Sequence, residues 1–263
     1  MNFDLRGTIS KKEGIALEFG GLFGFLLIWQ FFAMRVGSVA ILPSPLQVMG
    51  CFPELHFTDF LVRNVMFSLS LNLMAYAEAI LISIPVGFVL ALYTPIGALV
   101  KRYVDAIRYI PLTAVTGLFI AWLGISMNMK VQFLAFGIFV YLLPIVIQRV
   151  KDVEEVYIQT AQTLGASKWQ IIWKVFRPAV LSKVSDDILV ITAISWTYII
   201  VAELINNEGG IGALIFRSAR QSRLDKVFAC LFVIIVIGIL QDKLFTFIDK
   251  KIFKHKYIQQ GNK

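Results

Sequence analysis

"VQFLAFGIFVYLLPIVIQ", Val131–Gln148, is 18 residues without a charge. A helix of that length covers most of a bilayer's hydrocarbon core, which is about 30 Å thick. Only Lys130 separates it from a second uncharged run, Tyr109–Met129. Along the rest of the chain the same test gives, with these two, six stretches that fit a spanning helix: about Ile15–Met34, Phe67–Tyr93, Tyr109–Ile125, Val131–Gln148, Val184–Ile205 and Val227–Ile248. The uncharged cores of the last two, Ile188–Ala202 and Val227–Gln241, are short and leave their boundaries open. Pro85, Pro111 and Pro144 lie in or near spans, where neighbouring groups re-satisfy the carbonyls that a proline frees. Composition agrees: 58% of the 263 residues are apolar and only 16% charged. A soluble domain carries about 25% charged residues. The expected class is an all-α, polytopic membrane protein forming one transmembrane domain over residues 1–263. The first apolar run lacks a small-residue cleavage site and reads as a retained span.

Charge placement gives an expected orientation. The N-terminal segment, the second and fourth loops and the C-terminal tail together hold eighteen Lys and Arg. The first, third and fifth loops hold seven. The positive-inside rule puts both termini and the fourth loop in the cytoplasm. That bias, with anionic lipid as partner, accounts for the net charge of +8 without nucleic acid.

Little is left for chemistry. The fourth loop, residues 149–183, is too short to enclose a catalytic core. No glycine is followed by lysine, as a phosphate-cradling P-loop needs. His56 and His255 lack partners at metal-ligand spacing, and Cys51 and Cys230 do not make a disulfide framework. No G-x-S-x-G elbow is present. The expectation is no catalytic residue, no metal and no cofactor in this chain.

The fourth loop has its own pattern. Val153, Val156, Tyr157, Ala161 and Leu164 form one apolar stripe at helical spacing. Gly165 can take positive φ and end that helix. Ser167 and Gln170 have capping-box spacing and restart a helix at once. Trp169, Ile172, Trp173 and Phe176 give it an apolar face, and Pro178 predicts its stop at Arg177. Two readings suit this: an amphipathic helix lying on headgroups, or a bent pair of helices exposed for a cytoplasmic partner. The abrupt restart favours the second.

In "QTAQTLGASKWQIIWKVFRP", Gln159–Pro178, the spacing resembles the EAA loop of ABC-transporter permeases. Ala161, Gly165 and Pro178 fall in place, with Val175 for isoleucine. Gln159 replaces the acid, Thr160 a small residue and Arg177 a leucine. "LPSPLQV" at Leu42–Val48, "RYIPLTAVTGLFIAWLGI" at Arg108–Ile125, "VAEL" at Val201–Leu204 and "GGIG" at Gly209–Gly212 resemble the nitrate/sulfonate/taurine branch. The resemblance implies a permease subunit of a binding-protein-dependent importer for a small anionic solute. It implies a second permease copy, two copies of a cytoplasmic ATP-binding subunit and an extracytoplasmic solute-binding protein as partners. ATP would be bound by the partner subunit. The implied location is the inner membrane. The implied coupling residues are Gln159, Thr160, Ala161, Leu164, Gly165, Ala166, Ser167, Trp169 and Pro178.

Some charges have two readings each. Glu78, mid-way in the second span, lines a pathway or pairs with a neighbouring helix. Glu203, beside Asn206, Asn207 and Glu208, gates or caps locally. Asp186 and Asp187 are expected at the start of the fifth span, favoured by the helix dipole. Arg217, Arg220, Arg223 and Lys226, spaced by three, form a solvated helix face or a periplasmic surface that attracts an anionic substrate or docks an acidic partner. The competing function classes are a stand-alone channel or secondary carrier, which calls for repeated halves with broken helices, and a membrane enzyme, which calls for a reactive cluster at membrane depth. Neither pattern is evident.

Overall fold

The computed structural model describes residues 9–205 and 208–258. Its elements are α-helical throughout: α1 (Lys11–Val36), α2 (Pro45–Gly50), α3 (Phe52–Phe57), α4 (Leu61–Leu92), α5 (Thr94–Ile107), α6 (Leu112–Leu123) and α7 (Met127–Lys151). Then come α8 (Glu155–Thr163), α9 (Lys168–Ile171), a π-helical segment (Ile172–Phe176), α10 (Arg177–Leu204), α11 (Ile211–Arg220), α12 (Leu224–Ile252) and α13 (Lys254–Ile258). Among the described residues five helical stretches are long and apolar enough to cross a bilayer: Lys12–Val36, Leu61–Leu92, Met127–Lys151, Lys168–Leu204 and Leu224–Ile252. The sixth crossing is a bent pair, α5 and α6, with 105° between them. The chain is a multi-pass membrane protein.

The expected third span, 109–125, is a shorter helix than the uncharged run suggests. Pro111 has no N–H to donate and stands as the N-cap of α6, while Gly124 ends it with φ +67°. At 1.5 Å per residue α6 is about 18 Å long, too short to cross alone. The expected stop at Arg177 is also corrected. Helix runs without a break from Lys168 to Leu204. The π-helical segment just before Arg177 widens the ladder, and Pro178, which follows it directly, is accommodated there although it has no N–H to donate. Asp187 is consequently mid-helix and not at a helix start, so the dipole reading of Asp186 and Asp187 does not hold.

The chain divides into two compact units. One comprises the residues up to Leu61 together with Leu214–Phe232. In it, Ser44 and Gln47 form a capping box that starts α2, with Pro45 at its first position. The Trp29 indole donates to the Pro43 carbonyl at 2.9 Å, and its ring lies 5.5 Å from that of Phe228. No residue in the apolar window of α1 is buried, so lipid or another chain must cover that helix.

The other unit comprises Val62–Ala213 and the chain from Val233 onward. α7 is its centre: Met129, Phe133, Leu134, Ile138, Leu142 and Val146 are buried, against Ile191, Ile199 and Ala202 of α10. Lipid is as apolar as leucine, so this association rests on close packing. Small residues bring α6 and α4 likewise close to α7. A Cβ on Gly137 would lie 2.6 Å from Leu112 Cδ2, and one on Gly87 would lie 2.8 Å from Val146 Cβ. The Tyr141 and Tyr198 hydroxyls meet at 3.2 Å, and the Trp196 indole donates to Gln241 Oε1 at 2.6 Å.

Candidate functional site

The loop between α7 and α10 is an elbow built from two capping devices. α8 closes with a full Schellman motif: Ala166 N–H donates to Ala161 C=O at 2.9 Å and Gly165 N–H to Gln162 C=O at 2.8 Å. Gly165 takes φ +78°, the left-handed conformation that only glycine adopts without cost. Two residues later the expected capping box forms. Gln170 N–H donates to Ser167 Oγ at 3.3 Å, and Ser167 N–H to Gln170 Oε1 at 2.7 Å. Backbone groups that would otherwise be orphaned at the two helix ends are thereby satisfied, which fixes the angle between α8 and α9.

The elbow presents apolar side chains outward. Leu164 is 82% exposed and Trp169 is 66% exposed. Val156 and Tyr157 are exposed on α8. Gln159 and Thr160 lie on the exposed surface of α8, and the Thr160 hydroxyl donates to Val156 C=O at 2.7 Å. Ala161, half-buried, lines a cleft of about 850 Å³ with Tyr157, Leu164, Lys174 and Pro178. Leucine and tryptophan thus stand exposed together on one capped corner.

The elbow is tied to the spans by charge. Arg149, near the end of α7, makes a bidentate pair with Asp187 of α10: Nε to Oδ2 and Nη2 to Oδ1, each 2.7 Å. Paired forks of this kind are strong and directional. Lys256 of α13 donates to Asp186 Oδ1 at 2.8 Å and to Asp249 Oδ2 at 3.0 Å. Both helices that flank the loop are therefore anchored where they enter it.

At the other end of α10, Glu203 is fully buried. It accepts from the Ser68 hydroxyl at 2.5 Å and from Gly212 N–H at 2.7 Å. Asn64 Oδ1 accepts from Gly210 N–H at 2.8 Å, and Ser68 Oγ accepts from Ile211 N–H at 2.9 Å. The carboxylate thus holds the first turn of α11 onto α4 and α10. Glycine is required there: a Cβ on Gly210 would collide with the Glu203 carboxylate, and one on Gly212 would lie 2.9 Å from the Ile200 Cα. Of the expected neighbours, Asn206 and Asn207 lie outside the described residues. Lys130, assigned to a loop by its charge, is in the first turn of α7, buried, with its ammonium 5.5 Å from the Phe67 ring centre and without a hydrogen bond. Its isolation between two uncharged runs was the one sequence signal of an unusual environment.

Glu78 accepts from Gln132 Nε2 of α7 at 2.9 Å, so its carboxylate is engaged with a neighbouring helix. The basic face expected along Arg217, Arg220, Arg223 and Lys226 does not exist as one surface. α11 ends at Arg220, and Ser222, with φ +56°, turns the chain before α12 begins. Arg217 and Arg220 are exposed. Arg223 donates to Glu54 Oε2 and to Asp225 Oδ2, each at 2.8 Å. Lys226, almost wholly buried, reaches Asp59 at 2.6 Å and Glu54 at 2.8 Å. Hydrogen bonds from Arg223 and then Lys226 hold the Glu54 carboxyl down at about 2, and hydrogen bonds to Asp225 and then Glu54 push the Arg223 guanidinium upward. Two of the four cations are thus engaged in ion pairs, Lys226 buried and Arg223 half-exposed.

Long apolar helices joined by a capped, exposed elbow define a polytopic helical membrane protein. The model of the family described as "Binding-protein-dependent transport system inner membrane component" matches residues 83–254, well over half of the chain, and the chain belongs to that family, as the permease subunit of an ABC importer. It is similar to the taurine transport system permease protein TauC of Escherichia coli (strain K12), 28% identical over 89% of this chain and 87% of TauC. It is similar also to the bicarbonate transport system permease protein CmpB of Synechococcus elongatus, 27% identical over 93% of this chain and 92% of CmpB. Among solved structures, an inward-facing MetNI methionine ABC transporter matches with TM-score 0.62 and 18% identity, covering 78% of this chain and 98% of that one. A bacterial ABC transporter involved in import of the acidic polysaccharide alginate matches with TM-score 0.58 and 15% identity, over 91% and 97%. These likenesses carry the fold. Membership implies a separate ATPase and a binding protein as partners.

Proposed function

We propose that this chain, as a homodimer in the inner membrane with both termini in the cytoplasm, forms the pathway for a small anionic solute of the sulfonate, taurine or bicarbonate kind. A binding protein delivers the solute outside, and two copies of a cytoplasmic ATPase supply the energy. ATP is held by those subunits and not by this chain.

The observation that carries the reading is the doubly capped elbow. A coupling element must move as one body, so that contact at its tip biases the spans. The Schellman turn at Gly165 and the capping box at Ser167 supply stiffness between α8 and α10. Leu164, Ala166 and Trp169 form the tip that a partner grips. Gln159 cannot form the ion pair that an acid there would make, so apolar contact at Leu164 and Trp169 carries the grip. Arg149–Asp187 then passes the motion into α7 and α10. Glu203 and Glu78 hold the helices that rearrange, and exposed Arg217 and Arg220 remain as cations for an acidic partner.

The test is co-purification. The tagged chain, co-expressed with its ATPase subunit, should bring that subunit down. Leu164→Asp with Trp169→Asp should lose it while the chain still inserts. Undiminished recovery of the ATPase with that double variant would refute the assignment of the tip.

A further inference from the structure

A second concavity flanks the elbow on the side away from α8. It is an apolar groove of about 390 Å³, floored by Phe88, Val89 and Tyr93 at the end of α4 and walled by Trp169 and Trp173. Arg177 stands at its lining with its guanidinium 4.6 Å from the centre of the Trp173 ring. The two indoles pack edge to face at 5.4 Å. Among the described residues no carboxylate pairs with Arg177, although Arg149, Arg223, Lys226 and Lys256 all have one. The cleft beside α8 is lined by the other side of this segment, by Lys174, Val175 and Pro178. Groove and cleft therefore share no lining residue, and Trp169 is the one residue of the docking tip that also lines the groove.

Depth decides what fills the groove. Arg177 lies about 39 Å along the helix from Glu203, at roughly 1.5 Å per residue. That exceeds the ~30 Å hydrocarbon core, so with Glu203 near one boundary Arg177 lies in the headgroup layer of the other. Tryptophan, tyrosine and a stacked arginine belong at that level. An apolar slot below an unpaired cation matches an acyl chain below a phosphate, and guanidinium binds phosphate through paired donors. Leucine is the residue that the EAA-like spacing expects at this position, and this chain carries a cation there.

We propose that this groove binds an anionic phospholipid, with one acyl chain along Phe88 and Val89 and the phosphate on Arg177, directly against the π-helical segment that joins the elbow to α10. The site rests on the reading of the elbow as lying at the membrane's cytoplasmic face, but its test involves neither ATPase nor transport. The full-length chain is released from mixed micelles holding equal amounts of phosphatidylglycerol and phosphatidylcholine with identical acyl chains. Bound lipid is then counted by native mass spectrometry. Wild type should retain phosphatidylglycerol about fivefold over phosphatidylcholine, as one basic residue near a headgroup provides. Arg177→Gln should bring the ratio near one, and Val89→Trp, which fills the groove, should lower retention of both lipids. Arg102→Gln, an exposed arginine outside the groove, should leave the ratio as in wild type. Three results overturn the site: an unchanged ratio in Arg177→Gln, an equal loss in Arg102→Gln, or an efficient disulfide between Val89→Cys on one copy and Trp173→Cys on another, which would make a second copy the occupant.

Discussion

Substitution of Gly165 separates the stiffness of the elbow from everything else the chain does. The residue has φ +78°, and an added Cβ meets no atom within 4 Å. Gly165→Ala therefore acts through the backbone alone, costing about 1–2 kcal/mol for an L-residue held left-handed. Asn tolerates that conformation better and should fall between glycine and alanine. Gly165→Pro is harsher. Proline fixes φ near −65° and removes the N–H that now bonds Gln162 at 2.8 Å, so the turn cannot form. Losing that bond, the Ala166–Ala161 bond beside it and the glycine conformation costs about 3–5 kcal/mol locally. Because the elbow is solvent-exposed, membrane insertion should survive. The assay is solute taken up per ATP hydrolysed by the assembled transporter in proteoliposomes. The ratio should fall in the order Gly, Asn, Ala, Pro, with the proline variant hydrolysing ATP without uptake. A proline variant with the ratio of wild type would refute the lever.

Further outcomes rest on the anchors. Glu203→Leu leaves the Gly212 N–H unpaired, a loss of about 1–3 kcal/mol, while the Ser68 hydroxyl keeps the Asn64 carbonyl and the Ile211 N–H. Its thermal unfolding, followed by far-UV circular dichroism, should shift down by more than that of Ser68→Ala. Arg149→Gln and Asp187→Asn should be strongly non-additive, with a coupling of about 1–3 kcal/mol in a double-mutant cycle; additivity would remove the pair from the coupling route. Glu54, held at about 2 against an ordinary 4.5, stabilises its unit in full above pH 4.5 and loses that contribution as pH falls toward 2. The gap in unfolding temperature between wild type and Glu54→Gln should be constant above about pH 5 and close on acidification. Gly137→Val should separate α6 from α7, and its unfolding temperature should fall well below that of Gly238→Val, where a Cβ meets nothing within 4 Å.

The sequence disclosed the elements whose signals are local. Uncharged runs set the spans, and Gly165, Ser167 and Gln170 spelled the elbow down to its hydrogen bonds, since capping depends on residues a few positions apart. What it concealed was non-local. Pro178 promised a helix end, but the π-helical segment before it absorbs a proline in a way no propensity reveals. The four cations at three-residue spacing looked like one face until Ser222 turned the chain and Glu54 and Asp59, more than 160 residues earlier, claimed two of them. Glu203 was visible as a charge at a span's end. Its partners Ser68 and Gly212 depend on how α4, α10 and α11 meet, and a single sequence carries no record of that.

Work should enter this chain through the elbow, from a separate ATPase. The direct measurement is solute accumulation in proteoliposomes containing the permease with or without that subunit, with ATP and binding protein supplied. Accumulation against a gradient should occur only with the ATPase present and should vanish in Gly165→Pro. Uphill accumulation by the permease alone would contradict the account.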